Sequence, residues 1–323
     1  MGELKGGYTG KVLRVNLSRR EWKVEDLDPV LAKNYIGGAG LGIKLLYDLL
    51  APGVDPLAPE NPLIFVPGPL TGTGAPCASR MAVVTRSPLT GAVGMALTGG
   101  QFPAELKFAG YDALIVEGSS EAPVYLQIKD GEVRIRSAER LWGLLTTDTQ
   151  LFIKEEVGDL NTRVACIGPA GEKLSRMAAI INERRAAGRK GVGAVMGSKK
   201  LKAIAVRGTQ EVPIHDREGF MAGVRNLNRR MRESPSLYPA FAKGGTSIAV
   251  DATSVLGILA AKNWAETGVF NPLERVGFQA HDRYTVDRAH CYGCPVGCSQ
   301  VRLVKSGEYA GFLTEGPEFE TIY

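Results

Sequence analysis

The stretch Arg288-Ala289-His290-Cys291-Tyr292-Gly293-Cys294-Pro295-Val296-Gly297-Cys298 holds three of the chain's five cysteines within eight residues, spaced C-x-x-C-x-x-x-C. A run this dense closes a tight loop in which three thiolates can converge on one centre. Soft sulfur donors select zinc or an iron–sulfur cluster over magnesium or calcium. Gly293, Pro295 and Gly297 let the backbone turn sharply between ligands and bring amide N–H groups near the sulfurs. The spacing resembles cluster-binding runs without being the C-x2-C-x2-C-x3-C of bacterial ferredoxins, and a radical-type run would place the wider gap first. Three readings stand: a four-iron cluster, a zinc ion that adds His290 to the cysteines, or no metal. Zinc is disfavoured because adjacent residues rarely reach one tetrahedron and its usual pattern is two separated pairs. A disulfide is excluded, since three clustered cysteines leave one over and the N-terminus carries no secretory signal. A cubane usually needs a fourth cysteine. Cys77 and Cys166 lie far upstream, so the chain is expected to stop before that ligand.

Those ligands need a scaffold, and 323 residues suffice for two domains with a sizeable core. A hydrophobic content of 44% and a charged content of 23% are those of a soluble globular chain. Many of the 40 glycines fall in loops, which favours backbone that approaches a ligand closely. The formal charge of +5 suits an anionic cofactor or an acidic protein partner and is too diffuse to point to nucleic acid. No apolar run reaches transmembrane length and no signal peptide opens the chain, so no membrane is expected. With clustered thiols, this points to a reducing cytoplasm.

Along the chain, Lys11–Asn16 and Trp22–Glu25 alternate as a strand pair. Asp28 caps a short helix through Tyr35, with Pro29 at its first position. Gly37-Gly38-Ala39-Gly40-Leu41-Gly42 is not a dinucleotide fingerprint, because a helix and not a strand precedes it. It reads as a glycine turn into a helix over Ile43–Leu50. From Leu63-Ile64-Phe65-Val66 the sequence passes Gly68-Pro69-Leu70-Thr71-Gly72-Thr73, Ser79-Arg80-Met81-Ala82, Ser87-Pro88-Leu89-Thr90-Gly91, Leu97-Thr98-Gly99-Gly100 and Leu106-Lys107, and reaches a strand over Ala113–Gly118. A second hairpin, Val124–Lys129 with Glu132–Arg136, turns at Asp130-Gly131. A helix from Thr147 to Val157 follows. The order then returns: Ile167-Gly168-Pro169-Ala170-Gly171, Ser175-Arg176-Met177-Ala178, a glycine loop, Leu201-Lys202, and an apolar strand ending at Gly208. This reads as an internal duplication whose halves present two glycine-lined ledges, suited to two copies of one ligand or a pseudo-symmetric one. The alternative is a coincidence of short strings.

The loop Arg184–Lys199 joins four glycines to at least four cations, the chemistry of a phosphate cradle. It is not a Walker loop, and the alternative is a solvated basic loop. Cys77 and Cys166 read as structural. Beyond Gly208 the texture changes, placing a domain boundary near Thr209–Ile214. Helices are expected over Arg217–Glu233, with Phe220, Val224, Leu227 and Met231 on one face, and over Thr246–Ala260. Glu315, Glu318 and Glu320 surround Gly316-Pro317 and offer a proton-transfer group or ligand, unless this is an exposed acidic turn.

Together these strings resemble the tungsten-dependent aldehyde ferredoxin oxidoreductase family. They are Gly68–Thr73, Ser87–Gly91, Glu105–Asp112, Arg185–Lys199, the Cys291–Cys298 run and Glu315–Glu320. The resemblance implies an α/β (α+β) domain of two related β-sheet halves at 1–210, forming a pterin-binding base, followed at 211–323 by the start of a mostly α-helical domain carrying the cysteine run. It implies one tungsten (or molybdenum) atom held by two pterins, a magnesium ion bridging their phosphates, and a 4Fe-4S cluster. Arg80 matches a position between cluster and pterin. Leu97 and Ala186 match positions whose main-chain carbonyls face the magnesium, and Leu97 stands where an asparagine is usual. Gly99, Gly100, Arg185, Gly188 and Arg189 match pterin and phosphate contacts. Cys291, Cys294 and Cys298 match three cluster ligands, and Glu320 a catalytic carboxylate. The implied reaction is oxidation of an aldehyde to a carboxylic acid with ferredoxin as acceptor, in a homo-oligomer or larger electron-transfer complex. Alternatives are a relative that reduces an acid or an activated aromatic ring, and a non-catalytic iron–sulfur electron-transfer subunit. Family members are nearly twice as long, so the fourth cluster cysteine, a catalytic histidine and much of the substrate channel are expected beyond residue 323.

Overall fold

The computed structural model describes residues 4, 6–234, 237–262, 264–268 and 273–321. It forms two compact units, Met1–Phe220 and Met221–Tyr323.

In the first unit, β1 (Lys11–Asn16), β2 (Glu21–Asp26), β3 (Leu63–Pro67), β4 (Met81–Arg86), β5 (Val93–Thr98) and β6 (Ala113–Glu117) form one six-stranded sheet in the order β2-β1-β6-β3-β4-β5. The second sheet contains β7 (Val124–Lys129), β8 (Glu132–Ser137), β9 (Arg163–Cys166), β10 (Ile180–Asn182), β11 (Arg185–Ala187) and β12 (Leu201–Arg207). Its order, read from the opposite edge, is β8-β7-β12-β9-β10-β11. Each strand thus sits where its counterpart six places earlier sits. The parallel pairs also correspond, β1 with β6 and β7 with β12. The second sheet repeats the topology of the first.

The helices repeat as well. After α1 (Pro29–Tyr35), α2 (Gly38–Leu49) precedes β3, and α4 (Thr146–Val157) precedes β9. Likewise α3 (Phe102–Phe108) precedes β6, and α6 (Val192–Ser198) precedes β12 after the short turn α5 (Pro169–Glu172). Asp28 caps α1 through Val30 N at 2.8 Å, with Pro29 at its start. Helix α2 begins five residues before the expected Ile43, so Gly40 and Gly42 lie inside it. A Cβ on Gly42 would meet Val84 Cγ2 at 2.7 Å, so glycine lets the helix close onto β4. The matching Leu-Lys strings are not equivalent: Leu106-Lys107 ends a helix, while Leu201-Lys202 opens a strand.

The central strands are buried on both faces, which is why they read as unbroken apolar runs. Leu63 and Phe65 of β3 face a core shared with β7, β12, α3 and α6, while Ile64 and Val66 face α2. On the second sheet, Val164, Cys166, Ala203 and Ala205 face α4. The layers therefore run α1/α2, first sheet, shared core, second sheet, α4.

Each half also buries a lysine–carboxylate pair. Lys107 pairs with Asp112 and donates to Gly7 O at 2.8 Å, while Asp112 accepts from Gly10 N at 2.7 Å and Thr9 Oγ1 at 3.1 Å. Lys202 pairs with Glu172 and donates to Leu144 O at 2.8 Å. Asp112 thereby fastens the segment before β1 to the α3–β6 turn. Lys199 is fully buried and donates to Pro59 O at 3.0 Å and Gly118 O at 3.1 Å. Burial pulls its pKa down to about 8, against the nearby Glu117 and Glu60, which raise it.

The second unit mixes helices with small sheets, where mostly helix is expected. It contains α7 (Arg217–Glu233, entering from the first unit), α8 (Leu237–Gly244), α9 (Ile248–Val255), α10 (Leu273–Val276) and α11 (Phe278–Asp282). It also holds a two-stranded sheet of β13 (Leu259–Ala261) and β14 (Glu266–Gly268), and a three-stranded sheet, β15 (Thr285–Ala289), β16 (Ser299–Leu303) and β17 (Leu313–Glu315). The helix expected over Thr246–Ala260 is thus shorter and gives way to β13. Among the described residues no helix is long and apolar enough to cross a membrane.

Two outcomes follow from the buried charges. Asp112→Ala leaves the Lys107 ammonium without its buried counter-ion and is expected to lower unfolding free energy by about 3–5 kcal/mol in urea titrations. Lys199 is deprotonated in the folded state at a lower pH than in the unfolded chain. Between the folded value and the ordinary lysine range the unfolded chain therefore binds more protons, and stability from this group rises with pH across that window. Lys199→Met is expected to flatten that rise in unfolding curves recorded from pH 8 to pH 10.5.

Candidate functional site

β5 and β11, the last strands of the two sheets, lie against each other. This brings the two ledges together. Leu97 and Ala186 are both exposed, while their neighbours Thr98 and Ala187 are buried. Two residues beyond each exposed position comes a glycine, Gly99 in one half and Gly188 in the other. The segments Leu97–Gly100 and Ala186–Arg189 therefore occupy corresponding places at the ends of β5 and β11, with Gly99 and Gly100 buried and Gly188 and Arg189 exposed.

Each hairpin tip reaches across this seam. From the end of β10, Asn182 Oδ1 accepts from Thr98 Oγ1 at 2.7 Å and Asn182 Nδ2 donates to Gly99 O at 2.8 Å. Glu183 Oε2 accepts from Gln101 N at 3.1 Å. In the other direction, Ser87 at the β4–β5 turn donates to Lys190 O at 2.8 Å and takes the amides of Leu89 and Thr90 at 3.2 Å. Gly100 has φ +94, and a Cβ there would stand 2.5 Å from Glu183 Oε2 and 2.7 Å from Asn182 Nδ2. Only glycine lets the β10–β11 tip close onto the segment after β5. Asn182, Glu183 and Ser87 escape a motif search because each forms half of a contact between segments distant in sequence.

Arg80 is exposed just before β4. Its carbonyl accepts from Gly68 N at 3.2 Å and Thr71 Oγ1 at 3.1 Å, and Thr71 Oγ1 also donates to Ala78 O at 2.8 Å. The Gly68–Thr73 turn thus holds the main chain of Arg80 and leaves its guanidinium outward. Arg185 is half-exposed, and Arg184, Gly188 and Arg189 are exposed.

The rest of the Arg184–Lys199 loop departs from a four-glycine cradle. Cβ atoms on Gly191, Gly193 and Gly197 would meet main-chain oxygens of Arg176, Ala179 and Gly171 at 2.5, 2.6 and 2.0 Å. These glycines seat α6 against protein backbone. Lys199 is spent on internal carbonyls. The cradle chemistry narrows to Arg184–Lys190.

In the second unit, the cysteine run is the loop between β15 and β16, closed where Ala289 pairs with Ser299. Cys291 and Cys294 are half-buried and Cys298 is exposed. Cys294 N donates to Cys291 O at 3.1 Å, and Tyr238 OH donates to Pro295 O at 3.1 Å. Gly293 at φ +64 and Gly297 at φ +57 take the left-handed turns the spacing demands. Among the described residues no three His, Cys, Asp or Glu side chains stand close enough to share one metal ion. A zinc ion would need its sulfurs about 2.3 Å from a single point, whereas a cubane takes one thiolate per iron and spreads them. Three cysteines on one partly exposed loop supply the soft thiolate donors that either group takes. Cys166 is packed in the core of the first unit against α4, where burial pushes its pKa up to about 12. Cys77 is exposed at φ +59, not the packed structural residue expected.

In the acidic turn, Glu315 accepts from Ser299 Oγ at 2.8 Å and Glu318 accepts from Thr246 Oγ1. Arg302, buried beneath, donates to Pro317 O at 3.2 Å, and burial lowers its pKa. The backbone of Glu320 lies in the turn Phe319–Thr321, while its side chain falls outside the described residues.

Comparison with known proteins places these features in a family. The description "Aldehyde ferredoxin oxidoreductase, N-terminal domain" matches residues 12–208, and "Aldehyde ferredoxin oxidoreductase, domains 2 & 3" matches 222–323. Tungsten-containing aldehyde ferredoxin oxidoreductases of Thermococcus kodakarensis and Pyrococcus furiosus are each 49% identical over 320 residues, spanning 98% of this chain and 52% of theirs. An aliphatic sulfonate oxidoreductase, WOR-like subunit, of Pyrococcus furiosus is 32% identical over 335 residues, 97% of this chain and 52% of that protein. The structure of the active site complex BamBC of benzoyl coenzyme A reductase with 1,5-dienoyl-CoA superposes with a TM-score of 0.85 at 30% identity, covering 97% of this chain and 49% of that one. The chain spans about half the length of the curated relatives it matches. With both family descriptions and the 49% identity agreeing, the chain belongs to the aldehyde ferredoxin oxidoreductase family.

Proposed function

We propose that this chain is the pterin- and cluster-bearing portion of a tungsten-dependent oxidoreductase that turns an aldehyde and water into a carboxylic acid, two protons and two electrons, the electrons leaving through a 4Fe-4S cluster to ferredoxin. The observation that carries this reading is the meeting of two equivalent ledges, Leu97–Gly100 and Ala186–Arg189, at the seam of two sheets that repeat one topology. A repeated site suits a ligand present twice. The 49% identity to two tungsten-containing enzymes supports the choice of metal and substrate.

A tungsten (or molybdenum) atom bound by two pterin dithiolenes would supply the two-electron redox chemistry. The protein's part is placement and charge. β5 and β11 are end strands, whose outer main-chain groups are not consumed by their own sheets. Leu97 and Ala186 would offer main-chain carbonyls to the magnesium between the pterin phosphates, so the leucine side chain at 97 is tolerated. Gly99, Gly100 and Gly188 would bring main chain close to the pterins, and Arg80, Arg185 and Arg189 would offset phosphate charge with guanidinium forks. Cys291, Cys294 and Cys298 would bind three irons of the cluster. Glu320 would move the proton released as the aldehyde is oxidised. Assembly as a homo-oligomer or larger electron-transfer complex belongs to the same proposal.

The likeness to the BamBC complex favours a second reading, in which the same centre reduces an activated aromatic ring. The two separate on substrate.

Anaerobic purification and metal analysis, run on this chain and on a form extended to its relatives' length, test the first reading: about one tungsten or molybdenum and about four irons per extended chain, with aldehyde-dependent reduction of ferredoxin. Iron without tungsten or molybdenum would favour an electron-transfer subunit, and zinc alone would refute both. Cys294→Ser is expected to abolish the iron signal in electron paramagnetic resonance at unchanged secondary structure. Asn182→Ala removes two buried hydrogen bonds from the seam. It is expected to lower tungsten content by about fivefold or more, for about 1 kcal/mol or more of lost support, with iron content unchanged.

A further inference from the structure

Ligand spacing does not account for one support of the cysteine loop. His290 Nδ1 lies 2.9 Å from the carbonyl oxygen of Cys294. A carbonyl only accepts, so Nδ1 carries the proton and donates. The same ring lies over Gly297: a Cβ there would stand 2.4 Å from Cε1, 2.6 Å from Nε2 and 3.0 Å from Nδ1. Gly297 therefore has two reasons to be glycine, its φ of +57 and the imidazole above it. One side chain, rooted where the loop leaves β15, reaches the backbone beside the second cysteine and beside the third. Cys294 is consequently held at both main-chain groups, its N–H by Cys291 O and its carbonyl by His290.

We propose that His290 is a positioning residue, whose imidazole braces the loop so that Cys294 and Cys298 keep their spacing before any metal arrives. A loop fixed in its binding shape loses less freedom on binding, so the brace acts through the cysteines and not as a ligand. The inference rests on the cluster reading of the loop only for its metal readout. The brace itself is a property of the polypeptide.

The test compares wild type, His290→Ala and His290→Asn, the last able to donate from Nδ2 in place of the ring Nδ1. In the metal-free protein, amide hydrogen exchange over residues 291–298 is expected to run about fivefold faster in the alanine variant, the effect of losing one modest hydrogen bond. The asparagine variant is expected to stay within about twofold of wild type. In protein reconstituted anaerobically with iron and sulfide, the alanine variant is expected to release iron to a chelator faster and to broaden the spectrum of the reduced cluster, with asparagine restoring both. Equal exchange in all three proteins, or asparagine as fast as alanine, would overturn the brace. Wild type extended to its relatives' length that binds no iron would refute the cluster reading instead, while the exchange comparison still decides the brace.

Discussion

Asn182 is 1% exposed and spends both ends of its amide on the other half of the molecule, accepting from Thr98 and donating to Gly99. A buried amide without partners costs on the order of 1–3 kcal/mol, so this side chain is stable only where the two halves are in register. That requirement places everything at the seam. Glu183 and Ser87 secure the same junction from both directions, and Gly100 clears space for it. The register of β5 against β11 sets where Leu97 and Ala186 stand, and hence whether two ledges serve one ligand.

The remaining constraints hold the halves rigid behind that seam. Lys107 with Asp112 and Lys202 with Glu172 fix one charged pair in each half. Arg207, at the end of β12, donates to Glu105 on α3 at 2.9 Å and to Asp159 at 3.1 Å, tying the second sheet to a helix of the first half. Buried pairs of this kind add little net stability but are costly to break, which suits a scaffold that must present two segments at a fixed separation. In the second unit the same logic acts on a smaller scale: a strand pair closes the cysteine loop and short turns shape it.

Much of this was legible in the sequence. The two hairpins, the Asp28 cap, the doubly buried strands and the returning Gly-Pro and Ser-Arg-Met-Ala strings announce a repeated α/β unit, because periodicity and turn chemistry are local properties. The family resemblance was carried by other local strings, among them Ser87–Gly91, Glu105–Asp112, Arg185–Lys199 and the Cys291–Cys298 run. Errors came where a residue type has two uses. Glycines at 191, 193 and 197 read as ligand-facing, yet they meet protein backbone. Lys199 read as one of the cations of a phosphate cradle or a solvated loop and is buried. Leu-Lys strings matched in letters but belong to a helix in one half and a strand in the other. The small sheet flanking the cysteine run was missed because strands of three to five residues leave almost no periodic signal. The seam itself depends on side chains some eighty residues apart, which no single window can reveal.

The central claim is that the two equivalent halves jointly hold one metal through ligand bound twice. An anomalous-scattering map, recorded at the tungsten absorption edge from crystals of protein produced with tungstate under anaerobic conditions, addresses it directly. The account predicts a single heavy-atom peak near the junction of β5 and β11, with similar ligand density reaching both Leu97–Gly100 and Ala186–Arg189. Ligand on one ledge only, or a peak remote from the seam, would contradict it.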